Sequence, residues 1–272
     1  MGIFQNNLLA GAAAAASAGG GGFYDYQIEQ SARFDLASTS YMERDSSSQT
    51  PTNRDKHTLS VWVKRVTTQG TTGGGGTANQ SILTTVGNSA NWGYQFSHDS
   101  SEDDRLKSGF ASIGNLVSSN KLRDTGGWYH LLFRYDSTDG TASNRMLQYV
   151  NGTVVSSFAA STYPSQNADS YLGSGTVRVG RAAWANDYAD QYMAEMIFID
   201  GLSLAPSNFA TSKNGVWVPV DASGLTFGTI GFHLKFENSG DLGNDSSGNN
   251  NDFTASNMGA DHQVLDSPTF GS

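Results

Sequence analysis

The stretch Trp128-Tyr-His-Leu-Leu-Phe-Arg-Tyr135, followed by Met146-Leu-Gln-Tyr-Val-Asn-Gly-Thr-Val-Val155, decides how the rest of the chain is read. In the first segment Tyr129, Leu131, Phe133 and Tyr135 alternate with other residues, so an extended strand places all four on one face. The second carries Asn151-Gly152, two residues that tolerate the positive φ of a type I′ turn, and predicts a β-hairpin. Upstream, His57-Thr-Leu-Ser-Val-Trp-Val-Lys-Arg65 repeats the pattern, with Leu59, Val61 and Val63 on one face and Trp62 on the other. Each of these two strands is expected to bury one face, and the same alternation predicts further strands over residues 26–34, 81–86, 92–97, 106–111, 176–180, 191–199 and 231–237. A short helical turn is expected at 205–210, where Pro206 suits a first turn. With no long helical period and no internal repeat, the fold class is all-β: two antiparallel sheets stacked as a jelly-roll sandwich over residues 23–272.

Composition narrows the function. Lys and Arg number 16 against 25 Asp and Glu, a net charge of −9, and the cations are scattered singly, so a nucleic-acid partner is not expected. Cysteine is absent, which removes disulfides, thiolate metal sites and cysteine nucleophiles. No apolar run reaches the roughly 20 residues a membrane span needs. The Gly-rich stretch 70–76 lacks the Lys-Ser/Thr ending of a phosphate loop and reads as a rim loop, as does the acidic stretch 99–104.

Residues 1–22 stand apart: Ile3, Phe4, Leu8 and Leu9, then five alanines from Ala12 to Ala16, then four glycines from Gly19 to Gly22. Three readings compete: a flexible tail, an export signal that lacks its basic start although Ala16-Ser17-Ala18 imitates a cleavage site, and an Ala-rich, helix-capable assembly anchor with a glycine hinge. The anchor is preferred, with Ile3, Phe4, Leu8 and Leu9 as its contact residues.

Two kinds of binding chemistry are written in the side chains. Flat sugar faces stack on aromatic rings while their hydroxyls pair with polar groups, and Trp92, Trp184 and Tyr188 lie in polar, loop-flanked stretches suited to that. Trp62 and Trp128 are embedded in strands. Oxygen-rich clusters at 99–104, 186–190 and 241–252 are either ordinary acidic turns or calcium sites. The last is the candidate to test, with Asp241, Asp245 and Asp252 as ligands of a Ca2+ ion. Five dispersed histidines lack zinc spacing, and His130 and His233 read as packed strand residues.

The segments GGWYHLLFRYDST (126–138), RMLQYVNGTVVSSF (145–158) and VRVGRAAWANDYADQYMAEMIFIDGLSLAPSNF (177–209), in this order, resemble the laminin-G-like or concanavalin A-like domain over roughly 26–258. The later segments FHLKFENSGDLGNDSSGNNNDFTASN (232–257) and DSPTF (266–270) resemble modules in structural proteins of tailed bacteriophages. The resemblance implies a glycan-binding or structural module, sometimes holding calcium in a rim loop, located outside cells or on virus particles. That fold also hosts glycoside hydrolases, which place two carboxylates on one face of a strand. Here Glu195 and Asp200 fall on opposite faces, with Ile197 and Ile199 following Glu195 on its own side, so no catalytic pair and no enzyme is expected. The resulting expectation is a structural surface protein of a bacteriophage virion, a tail appendage or capsid decoration, whose partners are other virion proteins, copies of itself and host glycans. The alternative is a secreted bacterial carbohydrate-binding or adhesion protein.

Overall fold

The computed structural model describes residues 22–68, 79–87, 90–97, 104–110, 113–170, 172, 175–182 and 186–270. In chain order the strands are β1 (Ser31–Phe34), β2 (Tyr41–Asp45), β3 (Lys56–Arg65), β4 (Gln80–Gly87), β5 (Ala90–Phe96) and β6 (Arg105–Phe110). They continue with β7 (Gly114–Lys121), β8 (Tyr129–Asp136), β9 (Met146–Val150), β10 (Thr153–Val154), β11 (Phe158–Thr162) and β12 (Gly175–Val179). The last are β13 (Gln191–Asp200), β14 (Ala210–Lys213), β15 (Val216–Pro219), β16 (Phe232–Leu234), β17 (Thr254–Ser256) and β18 (Gln263–Val264). Among the described residues no helix is long and apolar enough to cross a membrane.

Two large antiparallel sheets form the sandwich. The first runs β10-β9-β8-β3-β13-β1-β18, with β16 also on β13; the second runs β11-β7-β6-β5-β4-β12-β2-β17. Alternation sends Leu59, Val61 and Val63 of β3 and Leu131, Phe133 and Tyr135 of β8 into the shared core, where they meet Phe96, Leu116 and Val179 of the second sheet. Each such side chain, fully withdrawn from water, contributes roughly 1.5–3 kcal/mol. Asn151 (φ 49°) and Gly152 (φ 76°) close the expected hairpin. Of the expected strand 26–34 only Ser31–Phe34 forms, and 231–237 shortens to Phe232–Leu234. The turn at 205–210 is a single 3-10 turn, Pro206–Asn208.

The expectation that β3 and β8 each bury one face fails. The outer face of the first sheet is covered by a third layer, residues 201–227 with the hairpin β14-β15, so Leu132, Ile197 and Ile199 are buried against Phe209, Ala222 and Phe227. Strand β13 is therefore apolar on both sides, as a strand covered on both faces must be. One edge of β13 is shared: β1 pairs with residues 191–193 and β16 with 196–198. At the hand-over Glu195 adopts φ 47° and the register against β3 shifts between Ala194 and Ile197, a bulge that returns Met196 and Phe198 to the core.

The segment 24–31 runs as a strap beside the C-terminus. Thr269 Oγ1 accepts from the Ile28 N–H and donates to the Ile28 carbonyl, and the Ser31 hydroxyl donates to the Asp266 carbonyl. These bonds hold residues 263–270 against the first sheet, which places Asp266 beside Lys64 and Trp128.

Candidate functional site

On the outer face of the first sheet, Trp62 of β3 and His130 of β8 are register partners. Alternation obliges both to point away from the main core, since their neighbours Val61, Val63 and Leu131 point in. Trp62 is almost fully buried and forms a floor, packed with Ile28, Ala194 and Ala210, while Trp128 and Trp217 rise half-buried on either side. Trp217 arrives on β15, reached through the Asn214-Gly215 turn (φ 53° and 83°). The tip of the β9-β10 hairpin supplies Asn151, Gly152 and Thr153. Together with Ser212, Gly215 and Val216 these residues line an open groove of about 630 Å³.

Hydrogen bonds fix the rings. Trp217 Nε1 donates to His130 Nδ1 at 3.0 Å, so the imidazole proton sits on Nε2, which faces the Ser60 hydroxyl at 2.8 Å. The backbone N–H of His130 donates to Asn151 Oδ1 at 2.8 Å, tying the hairpin tip to the same residue of β8. Burial drives the His130 pKa down to about 3, keeping it a neutral acceptor. Trp128 Nε1 donates to Asp266 Oδ1 at 3.2 Å, and Asp266 pairs with Lys64 at 2.7 Å. Gly152 is required where the hairpin meets Trp217: a Cβ there would lie 2.5 Å from the indole. The product is a set of immobilised ring faces rimmed by an amide and hydroxyls, which can stack against C–H faces and pair with ligand hydroxyls.

Of the aromatic residues singled out from sequence, Tyr188 stands away from this groove. Tyr188 is on the second sheet's outer side, where the Arg181 guanidinium sits 5.1 Å from its ring and 4.9 Å from that of Tyr41; its aromatic face is engaged by a cation. The backbone of Trp92 pairs with Thr85 in β5, but its side chain, like all of Trp184, lies outside the described residues. The anchor residues Ile3, Phe4, Leu8 and Leu9 lie outside them as well.

Of the candidate calcium ligands Asp241, Asp245 and Asp252, Asp245 is committed to hydrogen bonds within its own loop and to β16. Asp245 Oδ1 accepts from the His233 and Ser247 N–H groups, and Oδ2 from the Asn251 N–H and the Ser247 hydroxyl. Those four donors occupy the lone pairs of one carboxylate, leaving none for an ion. Asp252 Oδ1 accepts from the Asp245 N–H, Asp241 is exposed, and no cluster of three acidic or histidine side chains among the described residues could hold a metal. The loop is a structural knot of Asx turns. Of the other oxygen-rich stretches, Asp104 pairs with Arg65 and Arg123, both at 2.8 Å, and Asp190 with Arg33 at 2.6 Å.

Glu195 and Asp200 are held apart. The Glu195 carboxylate accepts from the Tyr26 hydroxyl and lies 3.1 Å from His233 Nε2 on the outer side. Asp200 instead accepts from the N–H groups of Thr52 and Ile230.

With this architecture in view, residues 36–202 match the concanavalin A-like lectin/glucanases superfamily, more than half of the chain. The chain belongs to this superfamily. Similar solved structures include domain 4 of an extracellular arabinanase from Geobacillus stearothermophilus in complex with arabinotriose, with 16% identity, a TM-score of 0.45, and coverage of 67% of this chain and 76% of that one. A Trypanosoma rangeli sialidase in complex with sialic acid shares 11% identity at a TM-score of 0.36, covering 57% of this chain and 22% of that one. Tailspike protein 2 of Escherichia coli O157:H7 bacteriophage CAB120 shares 10% at 0.38, covering 72% and 28%. No curated protein sequence matches the chain.

In this superfamily member Trp217, Ser212 and Val216 lie beyond the matched residues 36–202, so one wall of the groove comes from the chain's own C-terminal extension. Sequence reading passed over Trp62 and Trp128 as strand residues and did not single out Trp217. A usable signal was present in Asn214-Gly215-Val-Trp-Val-Pro219, a second Asn-Gly turn opening a strand with an aromatic at its second position.

Proposed function

We propose that this chain is a carbohydrate-binding surface module of a bacteriophage virion and that the Trp62–Trp128–Trp217 groove is where the glycan sits. The observation that carries the binding role is the immobilisation of the tryptophan rings around one open groove with a polar rim. A platform whose rotamers are already fixed loses little entropy when a sugar stacks on it. The virion role is supported by the likeness of residues 232–257 and 266–270 to modules of tailed-phage structural proteins, with 1–22 as the segment that joins neighbouring virion subunits. Display on a repeating particle would convert weak single-site affinity for host glycans into firm attachment.

Two experiments test this reading. A glycan array probed with the whole protein is expected to give hits that weaken about tenfold or more in Trp217→Ala and Trp128→Ala and persist in Tyr188→Ala; hits indifferent to both tryptophans would overturn the site. Immunogold electron microscopy with antibodies against residues 26–272 is expected to label particles. Gold on the tail would specify host attachment, gold on the head a decoration, and unlabelled particles would refute the virion role.

A further inference from the structure

We infer that the groove selects uncharged oligosaccharides over acidic or amino sugars, an inference that rests on the glycan-binding reading above. Among the described residues no ionisable side chain lines it: the walls are Trp62, Trp128, Trp217 and Val216, and the polar groups are Asn151, Thr153 and Ser212. The cations on the strands that carry Trp62 and Ser212 are already paired with carboxylates. Lys64 is 2.7 Å from Asp266, and Lys213 is 2.8 Å from Asp25. The indole N–H groups of Trp128 and Trp217 are directed to Asp266 and His130, and Asn151 Oδ1 accepts from the backbone N–H of His130.

A carboxylate or sulfate entering this groove would exchange its hydration for ring faces and hydroxyls, with no cation to offset the loss. The chain's net charge of −9 adds a long-range repulsion of polyanions. An ammonium would gain from the ring faces. It would nevertheless meet no carboxylate in the lining, since Asp266, which holds Trp128 and Lys64, is not one of the lining residues. Sugar hydroxyls, which both donate and accept, match the Thr153 and Ser212 hydroxyls and the Asn151 amide.

The test sorts array hits by charge. Calorimetry on the full chain would then use triacetylchitotriose and cellotriose as neutral probes, trigalacturonate and sialyllactose as acidic ones, and a glucosamine trimer as the amine. The expected result is Trp217-dependent binding of neutral glycans that changes less than about twofold when salt rises from about 20 to about 500 mM. Thr153→Lys, placing a cation on the exposed hairpin, should improve the affinity for trigalacturonate at least about threefold at low salt. Trp217-dependent, salt-sensitive binding of the acidic or amino probes would overturn the selectivity while leaving the glycan site intact. Hits that survive Trp217→Ala and Trp128→Ala, or no hits at all, would overturn the site itself and the selectivity with it.

Discussion

The indole N–H of Trp217 points at Nδ1 of His130, 3.0 Å away, and that single bond sets the imidazole's tautomer and the tilt of a groove wall together. Protonation of His130 would turn the acceptor into a donor and set two N–H groups against each other. The groove's geometry is thus coupled to a buried titration.

The coupling predicts acid lability. His130 and His57 are both buried and held neutral, with pKa values lowered by desolvation from 6.5 to about 3. Between those values the unfolded chain binds protons that the folded chain refuses, so stability falls as pH drops through the window. The slope should approach about 1.4 kcal/mol per pH unit for each histidine. Urea unfolding between pH 7 and pH 4 measures it, and His130→Gln should flatten the slope by about half.

Gly152 and Gly215 make a matched pair. Both follow asparagine at positive φ, 76° and 83°, but a Cβ at 152 meets the Trp217 ring at 2.5 Å whereas one at 215 meets nothing. Gly215→Ala should cost only the conformational term, about 1–2 kcal/mol. Gly152→Ala should cost visibly more and alter the near-ultraviolet dichroism of the tryptophans; equal losses would mean that the hairpin tip does not brace Trp217.

Asp104 sits between Arg65, buried with it, and the more exposed Arg123. Asp104→Ala leaves the Arg65 guanidinium buried and uncompensated beside the Phe96 ring, 4.4 Å from its centroid, and should cost about 3–5 kcal/mol by urea unfolding. Arg123→Ala should cost no more than about 1 kcal/mol.

Asp245 accepts four hydrogen bonds that hold the 245–252 loop. Asn at this position would turn a donor toward donors and should lower stability by about 2–3 kcal/mol. Adding calcium or a chelator to the unaltered protein should leave its melting temperature unchanged; a calcium-dependent rise of several degrees that is lost in Asp245→Asn would place an ion in this loop.

Much of the sandwich was legible because its signals are local. Alternation in β3 and β8 named the inward residues, and Asn151-Gly152 named the hairpin, since pleat and turn geometry depend on residues adjacent in sequence. The bulge at Glu195 was not legible. It arises where β13 passes from β1 to β16, partners far apart in the chain, and no local pattern encodes that exchange. Tyr188 was a reasonable ligand shelf by its polar flanks, yet Arg181 and Tyr41 engage its ring.

The sequence by itself determined that the chain is built of strands, which residues alternate toward a common core, and that Trp62 must face away from Val61 and Val63. What stands on that other face was decided by tertiary structure. The β14-β15 hairpin folds back over the first sheet and brings Trp217 to His130, and the C-terminal Asp266 steadies Trp128. Alternation assigns a side chain to a face from its immediate neighbours, whereas covering that face depends on contacts between distant segments. A tryptophan on a strand becomes core or binding surface according to what packs over it, and here that choice follows the path of residues 201–230 and 263–270 across the sheet.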